Sequence, residues 1–365
     1  MKKYFALIIV LLLLILTSCQ LPSNNKETIK LAASDITLCL NDSYQIKAEY
    51  LDYESQDFKY RSLNSNIITV NDTGLITTHQ EGSALITISI LTVKSTLTVR
   101  VVKGLIVNFI DIGQGDAILI ELPNNEVMMI DAGYYHENSW QQIYKVLTSR
   151  SITTIDYLII SHNHGDHYAL IPNVISNFNV KAVYGSGSIR TNWQYLQVMQ
   201  SIKNANLDYY IVKVGDYLIN EKNLKAQVVS TKLNLNEDDE GENPNYSSVM
   251  IRLSFLETAF LFTGDAGYRL GDGEDIALKS KLALKADVLK VGHHGSTYSS
   301  GNLFLEAVKP KIAVITTSKQ TETNHPHEAA LNRLRKVDAT IYETKTSGTI
   351  TVSSTGYEIT VKTEK

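Results

Sequence analysis

The stretch Tyr157-Leu-Ile-Ile-Ser-His162-Asn-His164-Gly-Asp166-His167 constrains this chain more than any other, because an apolar run ends there in three histidines and a carboxylate within six positions. A short apolar run bounded by turn residues reads as a buried strand, and Asn-His-Gly reads as the loop that leaves it. Imidazole and carboxylate are the usual ligands of divalent metals of intermediate softness, so one rigid strand end could hold most of two adjacent ions. The plain alternative is a histidine-rich surface loop. Three of the chain's nine histidines fall in this one stretch, directly after a buried strand, which argues for the metal site.

The same arrangement recurs downstream. In Leu261-Phe-Thr-Gly-Asp265-Ala-Gly267 an aspartate leaves an apolar strand. Such a carboxylate is costly to bury without a cation or hydrogen-bond donors, so Asp265 is a candidate to bridge two metals. In Asp287-Val-Leu-Lys-Val-Gly-His293-His294-Gly-Ser296 a strand again runs into histidines, and the strand-like Lys309 to Ile315 is followed by His325-Pro-His327. Two further segments are weaker. Phe109-Ile-Asp111-Ile-Gly-Gln-Gly-Asp116-Ala is a glycine-rich turn that lacks the lysine and Ser/Thr of a phosphate loop. Met129-Ile-Asp131-Ala-Gly133 alone reads as a turn or a buried structural aspartate.

Upstream the pattern differs. Met1-Lys2-Lys3 followed by the apolar Tyr4 to Leu16 reads as an export signal, too short for a bilayer-spanning helix. It ends Leu16-Thr17-Ser18-Cys19, which resembles the lipobox of bacterial lipoproteins. That resemblance implies cleavage after residue 18, lipidation of Cys19, and a mature protein that is extracytoplasmic and anchored to the bacterial cell membrane. Residues 19–27 then form a tether. Only Cys39 would remain, so no intramolecular disulfide is available, and its apolar surroundings suit a small core residue. Residues 28–103 show short alternating runs (Ile36 to Leu40, Tyr44 to Tyr50, Ala84 to Ile90), which predict an all-β sandwich. Tyr60-Arg-Ser-Leu-Asn-Ser-Asn66, Val70-Asn-Asp-Thr-Gly-Leu-Ile76 and Glu81-Gly-Ser-Ala-Leu-Ile-Thr-Ile88 resemble the group 2 bacterial immunoglobulin-like domains, which implies a stalk, with glycan or cell-wall binding as the sharper option.

From Gly104 to Lys365 strands interleave with helices, which predicts an α/β domain of sheets covered by helices. Its motifs, in order, resemble the metallo-β-lactamase superfamily through His-x-His-x-Asp-His, and within it the extracytoplasmic C-terminal domain of the ComEC competence proteins. The strings that carry this are Phe-Ile-Asp-Ile-Gly-Gln-Gly-Asp-Ala-Ile-Leu-Ile, Ile-Asp-Ala-Gly, Phe-Thr-Gly-Asp, Leu-Lys-Val-Gly-His-His-Gly-Ser and His-Pro-His. The multi-spanning channel region of that family has no counterpart here. The resemblance implies an αββα sandwich with two divalent metals at one edge: His162 and His164 on one, Asp166 and His167 on the other, Asp265 bridging. Superfamily members place a further histidine before the strand that leads to the bridging aspartate. This chain reads Asn243-Pro-Asn-Tyr-Ser-Ser-Val249 there, which leaves the first metal a ligand short. His293 could fill that gap, His325 or His327 could complete the second site or contact substrate, and His294 suits proton transfer beside the catalytic Asp166 and Asp265.

No cysteine lies near the cluster, so zinc and manganese both fit. A metal pair of this kind would activate water against a phosphoryl centre, which points to a phosphodiesterase and, by the resemblance, to a DNA nuclease. Cell-wall or teichoic-acid phosphorylcholine esters are a second substrate class, and a non-catalytic adhesin or DNA receptor with a structural metal is a third reading. A β-lactamase fits less well, given His-His-Gly-Ser and His-Pro-His. The net charge of −4 supplies no bulk attraction to nucleic acid. No protein partner can be inferred.

Overall fold

The computed structural model describes residues 28–40, 42–51, 53, 57–136, 138–235, 243–318 and 324–365. The export signal, Cys19, the tether and the acidic stretch 237–242 lie outside the described residues.

Residues 30–102 form the all-β unit. A four-stranded sheet (Asp35–Cys39, Val93–Val102, Gly82–Ile90, Lys59–Ser62) faces a three-stranded one (Ser43–Gln45, Leu75–Thr78, Ile68–Val70). Alternation explains it: in Gly82–Ile90 the residues Ala84, Ile86, Ile88 and Ile90 are buried, and they share a core with Ile68, Ile76, Leu97 and Val99. Cys39 is buried and unpaired, and burial pushes its thiol up to about 11, as expected of a packing residue rather than a nucleophile.

Two mixed sheets make up the rest. The first runs Asp208–Ile211, Ala182–Gly185, Tyr157–Ile160, Val127–Ile130, Ile118–Glu121, Leu105–Phe109, Ile350–Ser354, Ile359–Thr363. The second runs Tyr217–Asn220, Leu224–Ser230, Met250–Phe255, Thr258–Phe262, Val288–Lys290, Ile312–Ile315, Thr340–Glu343. Their inner faces share one apolar core, in which the rings of Phe109 and Phe262 meet across the two sheets with centroids 6.3 Å apart. Helices Ser139–Ser149, Ile171–Asn177 and Trp193–Asn204 cover the outer face of the first sheet through Ile143, Leu147, Val174, Val198 and Ile202. Helices Gly273–Ser280, Asn302–Val308 and Glu328–Lys336 cover the second through Ala277, Phe304, Leu305 and Leu334. These are the four layers of an αββα sandwich.

In each sheet four neighbouring strands are parallel: Val127–Ile130 through Asp208–Ile211 in the first, and Thr258–Phe262 through Thr340–Glu343 in the second. Their carboxyl ends release Asp131, the His162 loop, Asp265, His293-His294 and Thr316 at one edge of the sandwich. Open α/β sheets bind ligands at that end of their parallel strands.

Candidate metal centre

Asp265 stands at the middle of the edge, buried, with its two oxygens facing different groups. Oδ1 lies 3.2 Å from His167 Nε2 and 3.6 Å from His294 Nε2. Oδ2 lies 3.8 Å from both His162 Nε2 and His293 Nε2. Asp166 Oδ2 approaches the first side, 3.4 Å from His294 Nε2 and 4.0 Å from His167 Nε2. Two compact donor groups therefore share one carboxylate: Asp166, His167, Asp265 and His294 form one, and His162, His164 and Asp265 the other.

The chain fixes which ring nitrogens face inward. His167 Nδ1 sits 2.8 Å from Asp131 Oδ2, and His294 Nδ1 sits 2.7 Å from the Thr316 carbonyl. Each Nδ1 donates outward, which leaves the Nε2 lone pair for the site. Asp131 is itself fully buried and accepts from the Ser161 amide (2.8 Å) and hydroxyl (2.6 Å). Below it lies a buried ion pair, Lys290 Nζ to Asp116 Oδ2 at 2.8 Å, with Asp116 Oδ1 accepting from the Thr316 hydroxyl. The glycine-rich turn grips the metal loop. The Asp116 amide donates to the Asp166 carbonyl, and a Cβ on Gly115 would lie 2.3 Å from that carbonyl oxygen, so only glycine fits there.

The profile of the Metallo-beta-lactamase superfamily matches residues 110–318, more than half of the chain. The chain belongs to the metallo-β-lactamase superfamily. It is 29% identical over 259 residues to ComE operon protein 3 of Bacillus subtilis, which covers 67% of this chain and 32% of that protein. It is 26% identical over 255 residues to Recombination protein 2 of Haemophilus influenzae, covering 68% and 28%, and 26% identical over 248 residues to Competence protein ComA of Neisseria gonorrhoeae, covering 66% and 31%. The chain thus spans about a third of the length of these relatives, and the ComEC-like assignment of the hydrolase domain stands with them.

The donor set fits divalent cations on physical grounds. His167 Nε2, His294 Nε2 and Asp265 Oδ1 are buried and make no hydrogen bond, a combination that costs free energy unless a cation occupies the space between them. Electrostatics agree. Burial alone would lower the His167 and His294 imidazoles, but Asp265 outweighs it and pulls both up, helped by Asp131 and Asp166 at His167 and by Asp166 and Asp116 at His294. Burial alone would raise the Asp265 carboxyl, yet His167, His294 and His293 hold it well below the usual carboxylate range. These carboxylates call for positive charge at the site, which a divalent cation held by the Nε2 lone pairs would supply. Such a site is that of a metal-dependent hydrolase.

The geometry separates the consecutive pair His293 and His294. His294, reserved for proton transfer in the sequence analysis, occupies a ligand-like position in the four-residue group. His293 faces the same Asp265 oxygen as His162 but is about a third exposed and stands outside both compact groups, its Nδ1 3.2 Å from Asn245 Nδ2. The reason is local. His293 and His294 are consecutive residues with left-handed backbones (φ 47° and 51°), so their rings diverge, with an interplanar angle of 74°. Asn245, from the stretch 243–249 where the resemblance implied a histidine and the chain has none, is buried beside His293, and its Oδ1 makes no hydrogen bond. His325 is buried 5.2 Å from the His293 ring, and that burial lowers its imidazole to about 4. His327 Nδ1 accepts the Thr297 amide and precedes the helix that starts at Glu328, which sets it apart from the donors. Asp131 carried the same strand-end signal as Asp265, and Asp116 lay in the glycine-rich turn, but sequence reading assigned neither to the centre.

Proposed function

We propose that this chain is a surface-anchored, binuclear metal-dependent phosphodiesterase whose substrate is DNA. The observation that carries the metal-dependent part is the convergence of His167 Nε2, His294 Nε2 and Asp265 Oδ1 without hydrogen bonds. DNA is favoured because two of the similar proteins are named for recombination and competence. Asp166, His167 and His294 would hold one ion, His162 and His164 the other, and Asp265 both, with His293 closing the second set. Imidazole and carboxylate without thiolate suit zinc or manganese. Two such ions would lower the pKa of water and neutralise charge on phosphoryl oxygens.

The chain's own residues do the rest. Asp265 and Asp166 orient the attacking water, and Asp131 and the Thr316 carbonyl fix the imidazoles that face it. His164 and Asp166 are only partly buried, which gives a phosphodiester access from that side. The β-unit would act as an immunoglobulin-like stalk between this domain and a lipidated Cys19.

The purified chain, dialysed free of metal and resupplied with manganese or zinc, should cleave linear DNA, and Asp265→Ala should lower the rate by at least about a hundred-fold. Hydrolysis of a nitrophenyl phosphorylcholine with DNA untouched would move the substrate to the cell envelope. Retention of DNA binding with no turnover in either protein would make it a receptor.

A further inference from the structure

Beside the His162 loop the structure exposes aromatic surface that the hydrolytic chemistry does not use. Tyr135 and Trp193 are 45% and 59% exposed, and their rings lie parallel within 8° with centroids 6.4 Å apart. Exposed large aromatics are costly to leave in water, and two parallel ones are an arrangement that flat ligands use.

Both are tied to the metal loop. Tyr134 packs against Tyr135 at 5.7 Å and lies over Gly165, between His164 and Asp166, where any Cβ would fall 2.8 Å from its ring. The Tyr134 hydroxyl accepts from Gln194 Nε2, which follows Trp193. On the other side, Tyr168 from the metal loop donates to Asn192, whose side chain also caps the helix that Trp193 begins. Arg190 also ties to the metal loop, its Nη1 donating to the Asn163 carbonyl 3.0 Å away. The parallel rings are thus joined to the metal loop from both sides, through Tyr134 and Gln194 and through Tyr168 and Asn192. Rings tied to the loop that carries the metal donors suit a base adjoining the phosphate held there.

Resting on the phosphodiesterase reading, we infer that Tyr135 and Trp193 are a base-stacking platform for an unpaired nucleotide beside the cleaved phosphate, and that the enzyme acts on single strands. In a duplex both faces of each base are covered by neighbours, so a platform of this kind engages only a strand whose bases are free. With a net charge of −4 the chain has no bulk attraction for the polyanion, which leaves local stacking and Arg190 to hold it.

The chain contains two tryptophans, so in a Trp140→Phe background the fluorescence reports Trp193 alone. Metal-free protein titrated with a short oligothymidylate should show saturable quenching, while an abasic strand of equal length and charge should not quench. A Tyr135→Leu/Trp193→Leu variant, both positions being on the surface, should bind the labelled oligothymidylate about ten-fold or more weaker by anisotropy. Equal binding of the abasic strand, or an unchanged affinity in the variant, overturns the platform. DNA cleavage by the wild type with Trp193 silent overturns the platform and leaves the nuclease reading intact. No binding and no cleavage overturns both.

Discussion

Replacing Asp131 by asparagine tests whether the centre is held by its hydrogen-bonded support. Three donors converge on two carboxylate oxygens: the Ser161 amide and hydroxyl and His167 Nδ1, at 2.8, 2.6 and 2.8 Å. Asparagine is isosteric but replaces one oxygen by an NH2. If that NH2 faces His167, Nδ1 must become the acceptor, and the ring proton moves to Nε2, the atom 3.2 Å from Asp265 Oδ1. The lone pair a metal needs is then lost unless the ring reverts to a buried donor–donor clash. If the amide flips instead, its oxygen still accepts from His167 Nδ1, but its NH2 meets the Ser161 N–H and leaves a buried donor unpaired, at about 1–3 kcal/mol. Metal affinity should fall about 10- to 100-fold, the usual cost of losing such a support. Competition against a chromophoric chelator at fixed pH measures it, and nitrogen NMR of the imidazoles reports the tautomer. Wild-type affinity in Asp131→Asn with His167 still protonated at Nδ1 would refute the reasoning.

Lys290→Met should destabilise the fold by about 3–5 kcal/mol in urea, because it leaves Asp116 charged, buried and without its cation; a loss below 1 kcal/mol would mean the pair is not ionised. Burial pushes the Glu274 carboxyl up to about 8, although both oxygens accept amides, from Ser300 and Gly301. The folded chain then keeps a proton that the unfolded chain releases near 4.5, so the stability it contributes is full below that pH and is lost as pH rises through about 8. Unfolding free energies from urea titrations between pH 5 and 8 should fall by up to about 1.4 kcal/mol per pH unit, and Glu274→Gln should flatten that slope; equal slopes in both proteins would exclude Glu274 as its source. Chelation should lower the thermal midpoint, and divalent metal at a hundred times its Kd should restore about 2.7 kcal/mol in the wild type, with little effect in Asp265→Ala.

The local chemistry was legible because the chain writes it contiguously. His162, His164, Asp166 and His167 sit in one loop, and the apolar run before them marks the strand that fixes it. Alternation in Gly82–Ile90 likewise announced a half-buried strand, and the interleaved strands and helices after residue 104 announced the layers. These signals depend on periods of two and about four residues, which survive without knowledge of distant neighbours.

Only the tertiary structure could decide which strand ends meet. Asp131 pairs with His167 across 36 positions, and Asp116 with Thr316 across 200. Nothing local distinguishes such an aspartate from one that closes a turn. The choice between His293 and His294 was likewise beyond the sequence. Two consecutive residues in left-handed backbone send their rings different ways, and which ring enters the site depends on how Gly292 and Gly295 seat that turn against Ala266 and Pro326. The sequence by itself determined the donors and the strands that carry them; packing two sheets face to face decided which donors share a point in space.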